Sequence, residues 1–145
     1  MNTRFAVAVH IVTYLACRRG APATSEHVAE SVGTHPALIR RLGAQLARAG
    51  LVRAQRGARG GATLARPASE ITLLDIYRAV DDDDFELIRV HRTANPCCSV
   101  GMHMQAVLEE RAGAIERALE SELSRTTIAE VVDAVEPTRG PLIEA

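Results

Sequence analysis

The 145-residue sequence has no lysine and no tryptophan, and it holds only two tyrosines, two phenylalanines and three cysteines. So few cysteines, with Cys97 and Cys98 adjacent, exclude a secreted disulfide framework and predict free thiols in a reducing compartment. Long apolar runs are missing too. The near-continuous stretch from Phe5 to Cys17 is interrupted by His10, Thr13 and Tyr14 and is too short to cross a bilayer. No small-residue cleavage site precedes a polar start, so no signal peptide is expected. A cytoplasmic protein with no membrane partner is the expectation.

All 17 basic residues are arginine, which supplies forked donors suited to phosphate and base edges. The net charge of -1 hides a segregation. Residues 1–80 carry 11 arginines against 4 acidic residues, whereas residues 81–145 carry 6 against 14. Charges that only solubilise would be mixed along the chain, so the basic half is the part expected to meet nucleic acid. At 47% apolar, the chain fits one compact domain plus an appended element.

Residues 3–18 read as a helix with apolar side chains on most of its circumference, implying burial on more than one side. Thr24 or Ser25 caps a short helix, Glu26 to Val32, that Gly33 stops. Thr34 is the expected cap of a third helix with Pro36 in its first turn. Leu38, Leu42, Leu46 and Ala49 follow at helical spacing until Gly50. The period then changes. Residues 51–55 and 62–65 read as two short strands around the glycine- and arginine-bearing turn Arg56 to Gly61.

Thr72 caps the next helix, Leu73 to Val80, with Asp75 near its positive end. The acidic run Asp81 to Asp84 marks a boundary, and residues 85–99 read as a loop. A long amphipathic helix from about Val100 to Leu123 carries a stripe of Val100, Met104, Leu108, Ala112, Ile115, Leu119 and Leu123 that needs a partner to bury it. Thr127 and Glu130 form a capping box before a last short helix, and residues 136–145 read as a disordered tail.

The fold class is therefore mainly α with a small β-hairpin wing: a winged helix-turn-helix plus a long C-terminal dimerisation helix. Residues 1–80 are expected to bind DNA, with helix one also contributing to a dimer. Residues 81–135 are expected to form a sensor loop and dimerisation helices. The second helix of a helix-turn-helix enters the major groove with its N-terminal part, which nominates Thr34, His35, Ala37, Arg40 and Arg41. In the wing, Arg56 and Arg59 lie among glycines that let the backbone approach the duplex, and Gly60 joins them as a contact. Arg48 and Arg53 read as phosphate contacts or solvated charges. The glycine-rich turn follows no Walker pattern and precedes a strand, which argues against nucleotide binding.

Three segments resemble the Rrf2 family of bacterial regulators: Arg4-Phe5-Ala6-Val7; Leu51-Val52-Arg53 through Arg56-Gly57 and Arg59-Gly60-Gly61 to Leu64; and Ile71 to Val80. The resemblance covers roughly residues 1–135. It implies a homodimer on a pseudo-palindromic operator of double-stranded DNA, joined by the long helix and usually repressing. Cluster-binding members of the family carry three spaced cysteines before the long helix and a fourth ligand from elsewhere. Here that loop has only the adjacent Cys97 and Cys98, Arg4 stands where nitric-oxide sensors are acidic, and Gly101 stands where a cluster regulator has histidine. No family-type iron–sulfur cluster or other cofactor is expected.

Asn95-Pro96-x-Cys98-x-Val100-Gly101 is similar instead to the cluster-less, YwnA-like branch. Cys98 would then sit just before the long helix, where the macrodipole favours a thiolate, and with Cys97 it is the candidate sensor of a redox or thiol-reactive signal. The competing reading makes Cys98 a packing residue. In that case the effector is a small ligand, for which His10, Tyr14 and Cys17 share a face of helix one that lines a candidate pocket at the dimer interface, the alternative being that this stripe is core. A metal site built from His91, Cys97, Cys98 and His103 lacks regular ligand spacing. Two rivals remain open. A cysteine-dependent enzyme needs a base beside Cys98, and an adaptor using the amphipathic helix alone needs no DNA; neither accounts for the basic wing.

Overall fold

The computed structural model describes residues 3–80 and 97–135. The chain divides into two compact units, one from residues 1–81 and 124–145, the other from residues 82–123.

The first unit is built around α1 (Thr3–Cys17). Ala8, Ile11, Val12, Leu15 and Cys17 are all buried, so the helix is enclosed on several sides, as its apolar circumference requires. Arg19 and Gly20 then take positive φ angles of 51° and 91° and turn the chain. The next helix, α2 (Ser25–Val32), starts where the Thr24 hydroxyl accepts the His27 N–H at 3.3 Å. It ends at Gly33, which adopts φ 73° and donates its N–H to the Ala29 carbonyl.

The third helix, α3 (Pro36–Arg48), begins differently from the sequence expectation. His35, not Thr34, occupies the cap and makes no side-chain cap bond. Proline forces the residue before it into extended backbone, and His35 is found at φ -83°, ψ 135°. Thr34 instead donates its N–H to Ala29 and belongs to the close of α2. Ile39, Leu42 and Leu46 turn inward from α3, one apolar row per turn.

Strands β1 (Val52–Gln55) and β2 (Gly61–Leu64) pair antiparallel with Val52 opposite Leu64 and Gln55 opposite Gly61. The hairpin is tied to the main body through an isolated bridge between Ala23 and Ala62, with N–H···O distances of 3.0 and 2.8 Å. A side chain at Gly61 would bring its Cβ to 2.5 Å from the Ala23 carbonyl oxygen, so the bridge closes only on glycine.

A 3-10 turn (Ala68–Glu70) leads into α4 (Leu73–Val80). The Asp75 carboxylate accepts from the Thr72 N–H at 2.9 Å, and the Thr72 hydroxyl accepts from the Asp75 N–H, a reciprocal cap. Ile76 and Val80 of α4 enter the core, and Phe5 meets Tyr77 edge-to-face at 5.8 Å.

The second unit holds α5 (Ser99–Leu123), a helix of 25 residues. Of the stripe read from sequence, Val100, Met104, Leu108 and Ile115 are exposed and Ala112 is buried. After it comes α6 (Ile128–Val135), capped by the Thr127–Glu130 box read from sequence. Grouped above with the long helix, α6 lies in the first unit. Its start is hydrogen-bonded there, Ile128 N–H to the Ile71 carbonyl at 2.8 Å and Leu73 N–H to the Thr126 carbonyl at 3.0 Å, and the Ile128 side chain is fully buried. The acidic run, most of the expected sensor loop and the expected tail lie outside the described residues.

Candidate nucleic-acid interface and thiol site

Burial of Ile39, Leu42 and Leu46 fixes which side of α3 is left outside. His35, Ala37, Arg40 and Arg41 are exposed, while Thr34 is half-buried at the turn. Arg40 is exposed but paired. Its Nη1 donates to Glu26 Oε1 at 3.0 Å, with the two side chains 59% and 63% exposed. Glu26 sits in the first turn of α2, where its own backbone N–H, then Arg40 and the Thr24 hydroxyl, outweigh partial desolvation and hold its carboxyl below the ordinary range. Sequence reading missed Glu26, because a pair 14 positions apart across a turn leaves no periodic signal.

Wing residues Arg56 and Arg59 are exposed, and Gly57 takes φ 113° to make the turn. Gly60 is held by its N–H to the Gly57 carbonyl at 2.9 Å, and a Cβ there would lie 2.5 Å from the Gln55 carbonyl oxygen. Recognition helix and hairpin border one cleft of about 280 Å³, walled by Arg40, Gly43 and Ala47 on one side and by Val52, Ala54 and Gly61 on the other. Arg41, Arg56 and Arg59 are exposed but do not line it.

Cys98 is the residue from which α5 starts, since its carbonyl accepts the Met102 N–H at 2.9 Å. Its thiol is exposed and is held below the usual cysteine pKa by the backbone N–H of Gly101, then by that of Val100. Cys97 is exposed beside it, and Cys17 is buried on α1. His10, Tyr14 and Cys17 do share a face of α1, and they border one hollow of about 350 Å³.

A helix-turn-helix followed by an antiparallel hairpin, with arginines on the exposed side of its second helix and at the hairpin tip, makes this a winged helix-turn-helix protein. The chain belongs to the Rrf2 family of transcriptional regulators, whose profile, described as iron-dependent transcriptional regulator, matches residues 1–134. It is 35% identical over 133 residues to YwnA of Bacillus subtilis (strain 168), to which an HTH-type regulator role is ascribed, covering 92% of this chain and 97% of that one. Among solved structures, it resembles a protein described as DNA-binding at 32% identity and TM-score 0.71, over 88% of this chain and 97% of the other. IscR of T. potens shares the fold at 24% identity and TM-score 0.72, over 97% of this chain and 91% of the other. The protein is therefore a transcriptional regulator with a DNA-binding fold and not an enzyme.

An iron–sulfur cluster needs several thiolates converging on one place. Cys97 and Cys98 are neighbours in sequence, the Cys98 sulfur is engaged with the start of α5, and Cys17 is buried on α1. Among the described residues, no three His, Cys, Asp or Glu side chains gather into a metal-binding group. The donor set among the described residues does not fit a cluster. Among these residues, no helix is long and apolar enough to cross a membrane.

Proposed function

We propose that this regulator acts in the cytoplasm as a homodimeric repressor on a pseudo-palindromic operator, with its affinity set by a redox or thiol-reactive signal at Cys98. In this reading residues 1–80 grip the duplex, with α1 also contributing to the dimer, and the segment up to the end of α5 receives the signal and joins the two copies. The Thr34 hydroxyl and the first N–H groups of α3 hold a phosphate, His35, Ala37, Arg40 and Arg41 face the major groove, and Arg56, Arg59 and Gly60 approach the backbone and minor groove. The dimer is supported by α5, where Val100, Val107 and Ile115 are 61%, 51% and 46% exposed. A row of that kind along 25 residues is the pattern that a second helix buries.

The observation that carries the sensor reading is the position of Cys98: exposed, at the start of α5, with two backbone N–H groups favouring its thiolate. With hydrogen peroxide the thiolate attacks one oxygen, the O–O bond breaks, and sulfenic acid and hydroxide form. Condensation with a second thiol, such as Cys98 of another copy, releases water and leaves a disulfide. Adjacent Cys97 would close only a strained ring, and Cys17 is buried. A change at this end of α5 alters the spacing of two reading heads across the operator.

The test is fluorescence anisotropy on the DNA upstream of the protein's own gene, before and after peroxide and again after reductant. Reversible loss of affinity in the wild type, absent in Cys98→Ser, supports the proposal. Coincident curves for reduced and oxidised protein, both tight, make Cys98 a structural residue.

A further inference from the structure

The hairpin has a second face. Successive side chains of a strand point to opposite sides, and β1 divides accordingly: Val52 and Ala54 wall the cleft shared with α3, while Arg53 and Gln55 border a separate hollow of about 380 Å³. Thr63, directly opposite Arg53 in the register, joins them. The turn after α1 brings Arg19 to the same hollow, and the segment after β2 brings Arg66. Three arginines thus border one concavity, and among the described residues none that lines it is acidic.

Their charge is only partly balanced. Arg66 Nη2 lies 3.7 Å from Asp75 Oδ2, longer than a hydrogen bond, and that carboxylate oxygen also accepts from the Thr72 N–H and hydroxyl. Arg66 therefore contributes its positive charge to the hollow, whereas Arg19 and Arg53, both exposed, supply donors that a ligand can reach. Like charges gathered at a concave wall raise and focus the local potential, which an anion relieves. Guanidinium forks match the oxygens of phosphate, and Gln55 and Thr63 add neutral hydrogen-bonding groups beside them. The volume lies within the range of small-molecule sites, and a duplex is too broad to enter it.

We infer that this hollow binds a small phosphate-bearing anion with at least two negative charges, Arg19 and Arg53 contacting phosphate oxygens and Arg66 adding its charge. The site lies wholly within the first unit, on the face of the hairpin opposite the cleft with α3. It stands apart from both the operator and the thiol readings, because neither uses these three arginines together.

The probe is pyrophosphate, titrated by calorimetry into the full chain without DNA at fixed ionic strength, with acetate as the singly charged comparison. Saturable binding of pyrophosphate is expected, and none of acetate. Arg53→Gln should weaken it about tenfold, the order of one charge-assisted hydrogen bond. Arg19→Asn should do the same, since asparagine tolerates the φ of 51° found there. Arg41→Ala, on α3 and outside the hollow, should leave pyrophosphate binding unchanged. Thermal melts confirm that the variants fold, and Arg53→Gln decides alone if Arg19→Asn does not. Absence of saturable pyrophosphate binding to the wild type overturns the inference, as does wild-type affinity in Arg53→Gln or equal affinity for acetate. Loss in Arg41→Ala with retention in Arg53→Gln also overturns it and puts the anion on the DNA-reading surface. If pyrophosphate does not bind while Arg53→Gln weakens affinity for scrambled duplex, Arg53 holds a DNA phosphate and the small-anion site is refuted. With no DNA in the calorimetry, failure of the regulator reading leaves its outcome unaffected.

Discussion

Arg40 of the recognition helix is held by Glu26 of the preceding helix, Nη1 to Oε1 at 3.0 Å. One donor of the guanidinium is thereby used before any DNA arrives. An exposed pair of this kind contributes little to stability, so its consequence belongs to binding. Replacing Glu26 with Gln removes a negative charge from beside the recognition helix and leaves Arg40 at most a neutral hydrogen bond. The variant is expected to bind scrambled duplex more tightly than wild type and to discriminate less between operator and scramble. Anisotropy on both duplexes reads this, and an unchanged ratio contradicts it.

The hairpin depends on a glycine where it meets the body. Gly61 has φ 155°, and a Cβ would sit 2.5 Å from the Ala23 carbonyl oxygen. Gly61→Ala must push backbone against backbone, and it is expected to lower unfolding stability by about 1–3 kcal/mol. Urea titration measures the loss. Retention of wild-type stability shows that the bridge between Ala23 and Ala62 can shift at little cost.

Two reciprocal caps stand beside each other in the first unit: Thr72 with Asp75 at the head of α4, and Thr127 with Glu130 at the head of α6. Their threonines form an isolated antiparallel bridge. Thr72→Ala and Thr127→Ala should each destabilise by about 1 kcal/mol. Because the capped ends share backbone hydrogen bonds, the double variant should depart from the sum of the single ones. Strict additivity in a denaturation cycle argues that the two caps act independently.

A depressed Cys98 pKa has a direct kinetic readout. Backbone N–H groups of Gly101 and Val100 stabilise the thiolate only while α5 is formed. Iodoacetamide should modify Cys98 in the folded protein with a pH midpoint below that of the same residue in urea, because the folded state holds the thiolate to lower pH. Mass spectrometry of the peptide containing Cys98 follows it. Equal midpoints in folded and unfolded protein contradict the capping geometry.

Much of the fold was legible in the residues because local signals agreed with one another. The periods of α3 and α4, Gly33 as a stop, the hairpin around Arg56 to Gly61 and the Thr127–Glu130 box all rest on interactions within a few positions, and all are found. The capping preference of threonine points to Thr34, whereas the restriction that Pro36 puts on His35 moves the cap of α3 one residue on. Pairings between distant segments left no such trace: Glu26 with Arg40, Ala23 with Ala62, and the start of α6 against Ile71. In the candidate site, residue types and helix phase nominated the arginines, but the tether on Arg40 is a property of packing.

The central claim, that α3 and the hairpin tip form the DNA-reading surface, is tested most directly by anisotropy of the duplex upstream of the protein's own gene, titrated at several salt concentrations with wild type, Arg41→Ala and Arg59→Ala. Saturable binding that weakens steeply with salt is expected. Arg41→Ala should lose about 1–3 kcal/mol, more on the operator than on scrambled DNA, and Arg59→Ala should show a more uniform loss across sequences. Wild-type affinity and salt dependence in both variants would contradict it.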